Sequence, residues 1–382
     1  MNVNEIILIS FGPASLPETW SGVPFCLMRE LRNRGIIVQE VDLEPHRYIK
    51  WLYNRIIMPF ISIFVKAGEL SVYRSVFFRI YQHFLLRKSI RKYNTADVIL
   101  GISSFNIKIP TTKKPVILFS DWPFSYNFFK NGIDAGLYQR YYIRQEEICM
   151  MEADLVISLF PTCARYINDC LRINNAVYLG VNVVNNMSAP PDSDILYRKM
   201  RKPRLLFIGR HHYIEGARKL LDAYNELVGK MPDLELDIIG LQQSDFPESL
   251  TKSIRGEVRF WGYLDKGNKE QCRNYYDIIN NASLYVNTTP GWVGYTSMIE
   301  AMYFYTPVIV YPCREFLDEF GEQINFGAYV DTPKKLSEVI QASLIHNNWK
   351  SMAKNAHKRV SEYTWPHFID KLLESIRNLH KM

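Results

Sequence analysis

Short apolar runs alternate with helical stretches along nearly the whole chain, and the series occurs twice. Glu5–Phe11 (EIILISF) is apolar without an in–out alternation, as in a strand buried on both faces. Gly22–Arg34 follows with Phe25, Leu27, Met28 and Leu31 at helical spacing, then Ile36–Val41 as a second strand. A long helical region is expected from about Tyr48 to Tyr93, and Asp97–Ile102, Pro115–Ser120 and Asp154–Phe160 are further strands. Helices fit near Leu137–Met151 and Thr162–Leu171. Residues 181–203 break the pattern with adjacent prolines and polar filler, which marks a domain boundary. The second series has strands at Arg204–Gly209, Leu234–Gly240, Val258–Trp261, Ala282–Thr288 and Thr306–Tyr311, separated by helical stretches, with a final helix at Trp365–His380.

Strands that alternate with helices build parallel sheets covered on both faces. At roughly 100–200 residues per domain, 382 residues suit two or three domains. The expected fold class is therefore α/β, with two doubly wound Rossmann-like domains facing a cleft. They span residues 1–182 and 200–364, with a terminal segment at 365–382. Ligands of such sheets bind beyond the carboxyl ends of the strands, so residues at those tips are the ones to weigh.

Charge is unevenly spread. Residues 46–95 hold ten Lys/Arg and one acid, a net +9 against +7 for the whole chain, which leaves the remainder at −2. Aromatic and aliphatic residues interleave with these charges, among them Tyr48, Trp51, Phe60, Phe77 and Phe84. Helices of that composition suit peripheral contact with an anionic membrane, and equally a pair of core-packed helices with a solvated basic face. No nucleic-acid motif accompanies the charge, so nucleic acid is not an expected partner. The six cysteines show no C-x-x-C spacing and no neighbouring His cluster, so neither a disulfide framework nor a metal site is expected. The opening MNVNEIILISFG lacks a basic stretch before its apolar run and reads as a strand rather than a signal peptide. The longest apolar run, Ile56–Val65, is half the length a bilayer requires, which is about 20 residues. The expected location is cytoplasmic, with any contact to the inner face of the plasma membrane peripheral.

Two constellations in the second half can carry chemistry. The strand LLFIG ends at Gly209-Arg210, where the glycine allows a tight turn and the arginine fork reaches past the strand tip toward a phosphate. Taken alone, a surface arginine at a turn is the simpler reading. Downstream, VNTTPGWVGYTSMIEAMYFYTPVIVY places the loop Thr288–Tyr295, with Gly291 and Gly294, before a helix that opens around Thr296-Ser297. Free N–H groups at such a start attract anions, and Glu300, one turn further in, can accept from a ribose diol. By itself, a glycine loop before a helix serves a turn as readily as a ligand.

Their order along the chain resembles the nucleotide-sugar half of retaining GT-B glycosyltransferases of the family-four (group 1) type, which carry G-R-x-x-x-x-K-G and then E-G-x-G-x-x-x-x-E-A-M. The resemblance covers residues 203–335 and extends more loosely through the first half, to the helix opening Trp20-Ser21-Gly22-Val23-Pro24 and to Ser120-Asp121-Trp122-Pro123 after the fourth strand. It implies transfer of a hexosyl or deoxyhexosyl group from a nucleoside-diphosphate sugar to a saccharide or lipid-linked acceptor. Configuration would be retained, and the setting would be cell-surface polysaccharide or lipopolysaccharide assembly. It implies no metal or other cofactor. Gly22, Gly209, Arg210, Trp292, Gly294, Tyr295, Thr296, Ser297 and Glu300 would line the donor site, with Arg210 and Glu300 catalytic. Asp121 would orient or deprotonate the acceptor, though capping the next segment is the plainer role for it. Residues 365–382 would form a helix packing back on the first domain.

Two positions depart from that pattern. Glu215 stands where the family has its diphosphate-binding lysine, and Trp292 stands at the first glutamate. An acid at 215 repels a diphosphate, and an indole at 292 can stack on a sugar but cannot accept its hydroxyl hydrogens. Arg218 or Lys219 is placed to restore the charge. A chain so altered also suits a second role, a catalytically degenerate protein that docks at a membrane and scaffolds a glycan-assembly complex.

Overall fold

The computed structural model describes residues 3–61, 71–180, 190–290, 295–332 and 335–379. The chain divides into two units, one of residues 1–181 with 365–382 and one of residues 182–364. The first is built on strands β1 (Glu5–Ser10), β2 (Ile37–Asp42), β3 (Val98–Ile102), β4 (Val116–Ser120), β5 (Leu155–Ser158) and β6 (Ala176–Val177). They form one parallel sheet in the order β2-β1-β3-β4-β5-β6, with Ile7 opposite both Gln39 and Ile99. Every residue of β3, β4 and β5 is buried, which explains why they read as plain apolar runs. Helices α1 (Val23–Asn33), α2 (Arg47–Leu52), α3 (Met58–Ile61), α4 (Val76–Lys92), α5 (Phe124–Asn131), α6 (Leu137–Glu152) and α7 (Pro161–Arg165) accompany them.

The helical region expected over 48–93 is not continuous. A π turn at Tyr53–Ile57 joins α2 to α3, and Ser75 opens α4 afresh by accepting from the Phe78 N–H at 3.1 Å. Serine at that position satisfies a donor the helix start leaves free, and so starts a helix rather than continuing one.

In the second unit, β7 (Arg204–Ile208), β8 (Glu235–Ile239), β9 (Glu257–Gly262), β10 (Leu284–Asn287), β11 (Val308–Val310) and β12 (Gly327–Tyr329) form a parallel sheet in the order β12-β11-β10-β7-β8-β9. Its helices are α8 (Ile195–Arg201), α9 (Ile214–Val228), α10 (Glu248–Lys252), α11 (Lys269–Asn281), α12 (Tyr295–Tyr303), α13 (Arg314–Phe320), α14 (Leu336–Ser343) and α15 (His346–Val360). The core runs from Leu205, Phe207 and Ile238 to Leu220, Tyr224 and Trp349, all fully buried. Each such side chain contributes about 1.5–3 kcal/mol of transfer free energy.

Part of the polar stretch 181–203 is not linker, because α8 lies within it. Ile195 packs inward, and the buried Lys199 donates to the carbonyls of Ile279 and Ala282 and to Thr306 Oγ1, at 2.7–2.8 Å. A lysine used as a cap for the end of another helix looks like linker polarity in sequence. Helix α16 (Trp365–Leu379) packs on the first unit. The Phe368 ring meets Phe119 of β4 at 5.3 Å in a tilted contact, Arg34 pairs with Asp370, and Lys371 donates to the Leu179 carbonyl at 3.0 Å.

Candidate functional site

The strand order of the second unit reverses between β7 and β10, since β8 and β9 lie to one side and β11 and β12 to the other. Helices leave the sheet on opposite faces at such a point, so a crevice opens beyond the strand ends. The tips of β7 and β10 are stitched together there. Asn287 donates to the Ile208 carbonyl at 3.3 Å, and Thr289 Oγ1 donates to the Tyr213 carbonyl at 3.4 Å. Gly209, Gly240 and Gly262 bring the three neighbouring tips into close approach. The Gly209 N–H donates to Ile239 and the Gly240 N–H donates to Gly262. Gly240 has φ +95°, and a Cβ there would meet the Gly209 carbonyl oxygen at 2.4 Å. Gly240→Ala is therefore expected to destabilise the unit by about 1–3 kcal/mol, from overpacking and a left-handed backbone. A shift of the denaturant midpoint measures this.

Arg210 lies just past β7, extended and exposed, with its guanidinium 4.9 Å from the ring centre of the exposed Tyr263. In the first turn of α12, Thr296 and Ser297 are half-exposed, and Ser297 Oγ is 3.2 Å from the Tyr285 hydroxyl. Tyr295 is buried, stacks on Phe316 at 4.8 Å and donates to the Glu315 carbonyl at 2.7 Å, so its ring belongs to the core beside α13. Gly291, Trp292 and Gly294 lie outside the described residues. Glu215 is exposed and pairs with Lys219 at 2.6 Å. That pairing occupies one of the two cations placed to compensate for it, while Arg218 is exposed.

Glu300 has no exposed surface. Its carboxylate accepts from Lys266 Nζ at 2.8 and 2.9 Å, from the Tyr275 hydroxyl at 2.7 Å and from the Tyr276 hydroxyl at 3.3 Å. Burial and the Glu300 charge hold the Tyr275 hydroxyl protonated far above its usual range. Lys266, Tyr275 and Tyr276 are absent from the sequence motif. The one sequence signal for Lys266 is the helix-capping Asn268 two residues on, which places residues 263–268 in the loop at the carboxyl end of β9.

In the first unit, Gly22 adopts φ +83° as the cap of α1, and Trp20 and Ser21 before it are also left-handed, at φ 39° and 57°. Consecutive left-handed residues that are not glycine store strain of the kind found at ligand-gripping loops. Trp20 rests edge-on to Phe119 at 5.7 Å, which ties this loop to the end of β4. Asp121 follows β4. Its Oδ1 accepts from the Trp122 N–H at 2.9 Å and from Ser120 Oγ at 3.1 Å, which holds the turn after β4; it does not cap α5, whose N-cap residue is Pro123. Burial pushes its carboxyl up from the usual range.

A second carboxyl escaped the sequence. Glu146 of α6 is buried and accepts from the Phe124 N–H at 2.7 Å. Burial raises it to about 8, and the Asp121 charge adds to the effect while the Phe124 bond and Arg74 oppose it. Its folded-state value lies above the unfolded one, so the folded protein holds the proton longer, and stability falls as pH rises toward 8. Glu146→Gln keeps the acceptor and removes the titration. Denaturation at about pH 5 and at pH 8 is expected to show a smaller loss of stability in this variant than in the wild type.

The basic region shows a wet apolar face. Tyr48, Trp51, Ile56 and Phe60 are exposed on α2 to α3, as are Ile80 and Phe84 on α4. Arg87, Lys88, Arg91 and Lys92 are exposed on the same helix, while Lys66 lies outside the described residues. Ile133 and Leu137 are also exposed, Leu137 at 88%. They adjoin this region, because Tyr138 donates to the Arg74 carbonyl. Among the described residues, no helix is long and apolar enough to cross a membrane, and no group of three or more His, Cys, Asp or Glu is arranged to hold a metal.

Residues 202–345 match the family model "Glycosyl transferases group 1". No curated protein sequence matches the chain. Among solved structures, sucrose-phosphate synthase from Thermosynechococcus elongatus is 16% identical, covers 99% of each chain and superposes with a TM-score of 0.66. WaaG, a glycosyltransferase involved in lipopolysaccharide biosynthesis, is 14% identical over 98% of this chain and 99% of its own, with a TM-score of 0.64. The pneumococcal O-GlcNAc transferase GtfA, in complex with UDP and GlcNAc, is 12% identical over 78% of this chain and 60% of its own, with a TM-score of 0.56. At these identities the likeness is one of fold.

Proposed function

We propose, from the match of residues 202–345 to the group 1 glycosyl transferase model and from the GT-B fold of the chain, that the protein transfers a hexosyl or deoxyhexosyl group from a nucleoside-diphosphate sugar to a saccharide or lipid-linked acceptor, with retention of configuration. The observation that carries the reading is Arg210, exposed at the tip of β7, where the sheet order reverses next to β10. Charge accumulates on the diphosphate as the glycosyl bond breaks. A fixed guanidinium and free helix N–H groups stabilise it without the reorganisation that water would need. In this scheme they take the place of a metal. Glu300 holds the ribose. Asp121, its carboxyl raised by burial, suits orientation or deprotonation of an acceptor hydroxyl in the first unit.

Membrane contact through 46–95 is part of the same proposal, in cell-surface polysaccharide or lipopolysaccharide assembly at the inner face of the plasma membrane. Exposed aromatic side chains beside four exposed basic residues on α4 support it. A second reading, a scaffold without transfer activity, is favoured by the exposed Glu215 at the position of the diphosphate lysine. One assay separates them. A ligand at about a hundred times its Kd stabilises the native state by about 2.7 kcal/mol, so a matching nucleoside diphosphate raises Tm by several degrees. A flat Tm across uridine, guanosine, adenosine, cytidine and thymidine diphosphates favours the scaffold.

A further inference from the structure

We propose that Lys266 determines specificity for the diphosphate: it closes the ribose-binding carboxylate of Glu300 in the free protein, and the donor's own charge draws it away. The inference rests on the donor-site reading above.

A carboxylate has about four acceptor positions. In Glu300 all four are used, two by the Lys266 ammonium and one each by Tyr275 and Tyr276, and no surface of the residue reaches solvent. A ribose diol that donates to Glu300 must therefore displace a donor. The two tyrosines are fixed in α11 and buried, whereas Lys266 sits in the loop after β9 with 16% of its side chain exposed. Lys266 is the donor that can move.

Its displacement is costly if the ammonium gains nothing in exchange, because it gives up a buried counter-ion and the faces of Tyr275 and Tyr276, 4.2 and 5.4 Å away. A nucleoside supplies no such partner. A nucleoside diphosphate does, because its oxyanions accept from the released ammonium. The loop is placed for the exchange, since Tyr263 at its start carries the Arg210 guanidinium and Lys266 near its end carries Glu300. The same movement supplies a lysine to a diphosphate whose family lysine is replaced by Glu215. One residue thus links recognition of the ribose to recognition of the charge, and selects diphosphates over nucleosides.

The test is calorimetric titration of the full chain with uridine, UDP, guanosine and GDP, in the wild type, Lys266→Met and Lys266→Arg. In Lys266→Met, the matching diphosphate is expected to bind about tenfold more weakly relative to its nucleoside than in the wild type, a change of about 1.4 kcal/mol. Lys266→Arg should retain the discrimination. An unchanged ratio in a folded Lys266→Met overturns the inference while leaving the donor site standing. A wild type that binds none of the five diphosphates screened above overturns both. Because removing one partner of a buried pair can unfold a protein, a wild-type crystal complex with the bound diphosphate gives a second measurement. The inference requires Lys266 Nζ beyond about 3.5 Å from Glu300 and within hydrogen-bond reach of a phosphate oxygen. A Lys266–Glu300 pair that persists beside a bound ribose contradicts it.

Discussion

Arg210→Ala is expected to lower kcat/KM for the accepted donor by about a hundred- to a thousandfold, the usual loss when one fixed donor to a developing charge is removed. The fold should be nearly untouched. Arg210 is exposed, and the contact it makes with the Tyr263 ring lies at the surface. Surface changes of this kind usually fall within about 0.5 kcal/mol. Arg210→Lys should fall between the two, because an ammonium keeps the charge but not the planar fork that meets two phosphate oxygens together. Steady-state kinetics with parallel melting curves check this. Activity within a few-fold of the wild type, in a variant of unchanged Tm, removes Arg210 from the diphosphate site.

The second large effect is expected at the lipid surface. Arg87, Lys88, Arg91 and Lys92 are exposed at the end of α4, near the exposed Phe84. Each basic residue near an anionic bilayer contributes about 1 kcal/mol. Replacing all four with Gln should therefore weaken binding to acidic vesicles by roughly a thousandfold. Glutamine is about as good a helix former as lysine or arginine, so α4 should persist. Wild-type binding should also fall steeply with salt, since the surface field decays over about 10 Å at 0.1 M ionic strength. Vesicle sedimentation that shows no preference for acidic over neutral lipid would remove the membrane from the proposal.

The two sheets were legible in the chain because parallel strands are covered on both faces, so β1, β3, β4 and β10 carry unbroken apolar runs at Ile6–Ile9, Val98–Ile102, Val116–Phe119 and Leu284–Val286. Two edge strands were not. β6 has two residues, and β12 has three that are only half-buried, so neither presents a run long enough to notice. Helix α8 was hidden because its buried Lys199 looks like linker polarity until the carbonyls it caps, at Ile279 and Ala282, come into view. The glycine and arginine at the β7 tip and the glutamate of α12 could be picked out by spacing within a local motif. The partners of Glu300 could not, because Lys266 and Tyr275 lie 34 and 25 residues away and meet it only where the loop after β9 and helix α11 reach α12. Glu146 was missed for the same reason. It stands 22 residues from the Phe124 N–H it receives, and nothing in the helix around it sets it apart.

The central claim is that the second unit holds a nucleoside-diphosphate sugar beyond the tips of β7 and β10. Crystals soaked with a panel of nucleotide sugars test it most directly. The account predicts one member bound there, with its diphosphate about 2.7–2.9 Å from the Arg210 guanidinium and facing the Thr296-Ser297 turn. A nucleotide sugar bound elsewhere on the chain, or no member bound at saturating concentration, would contradict it.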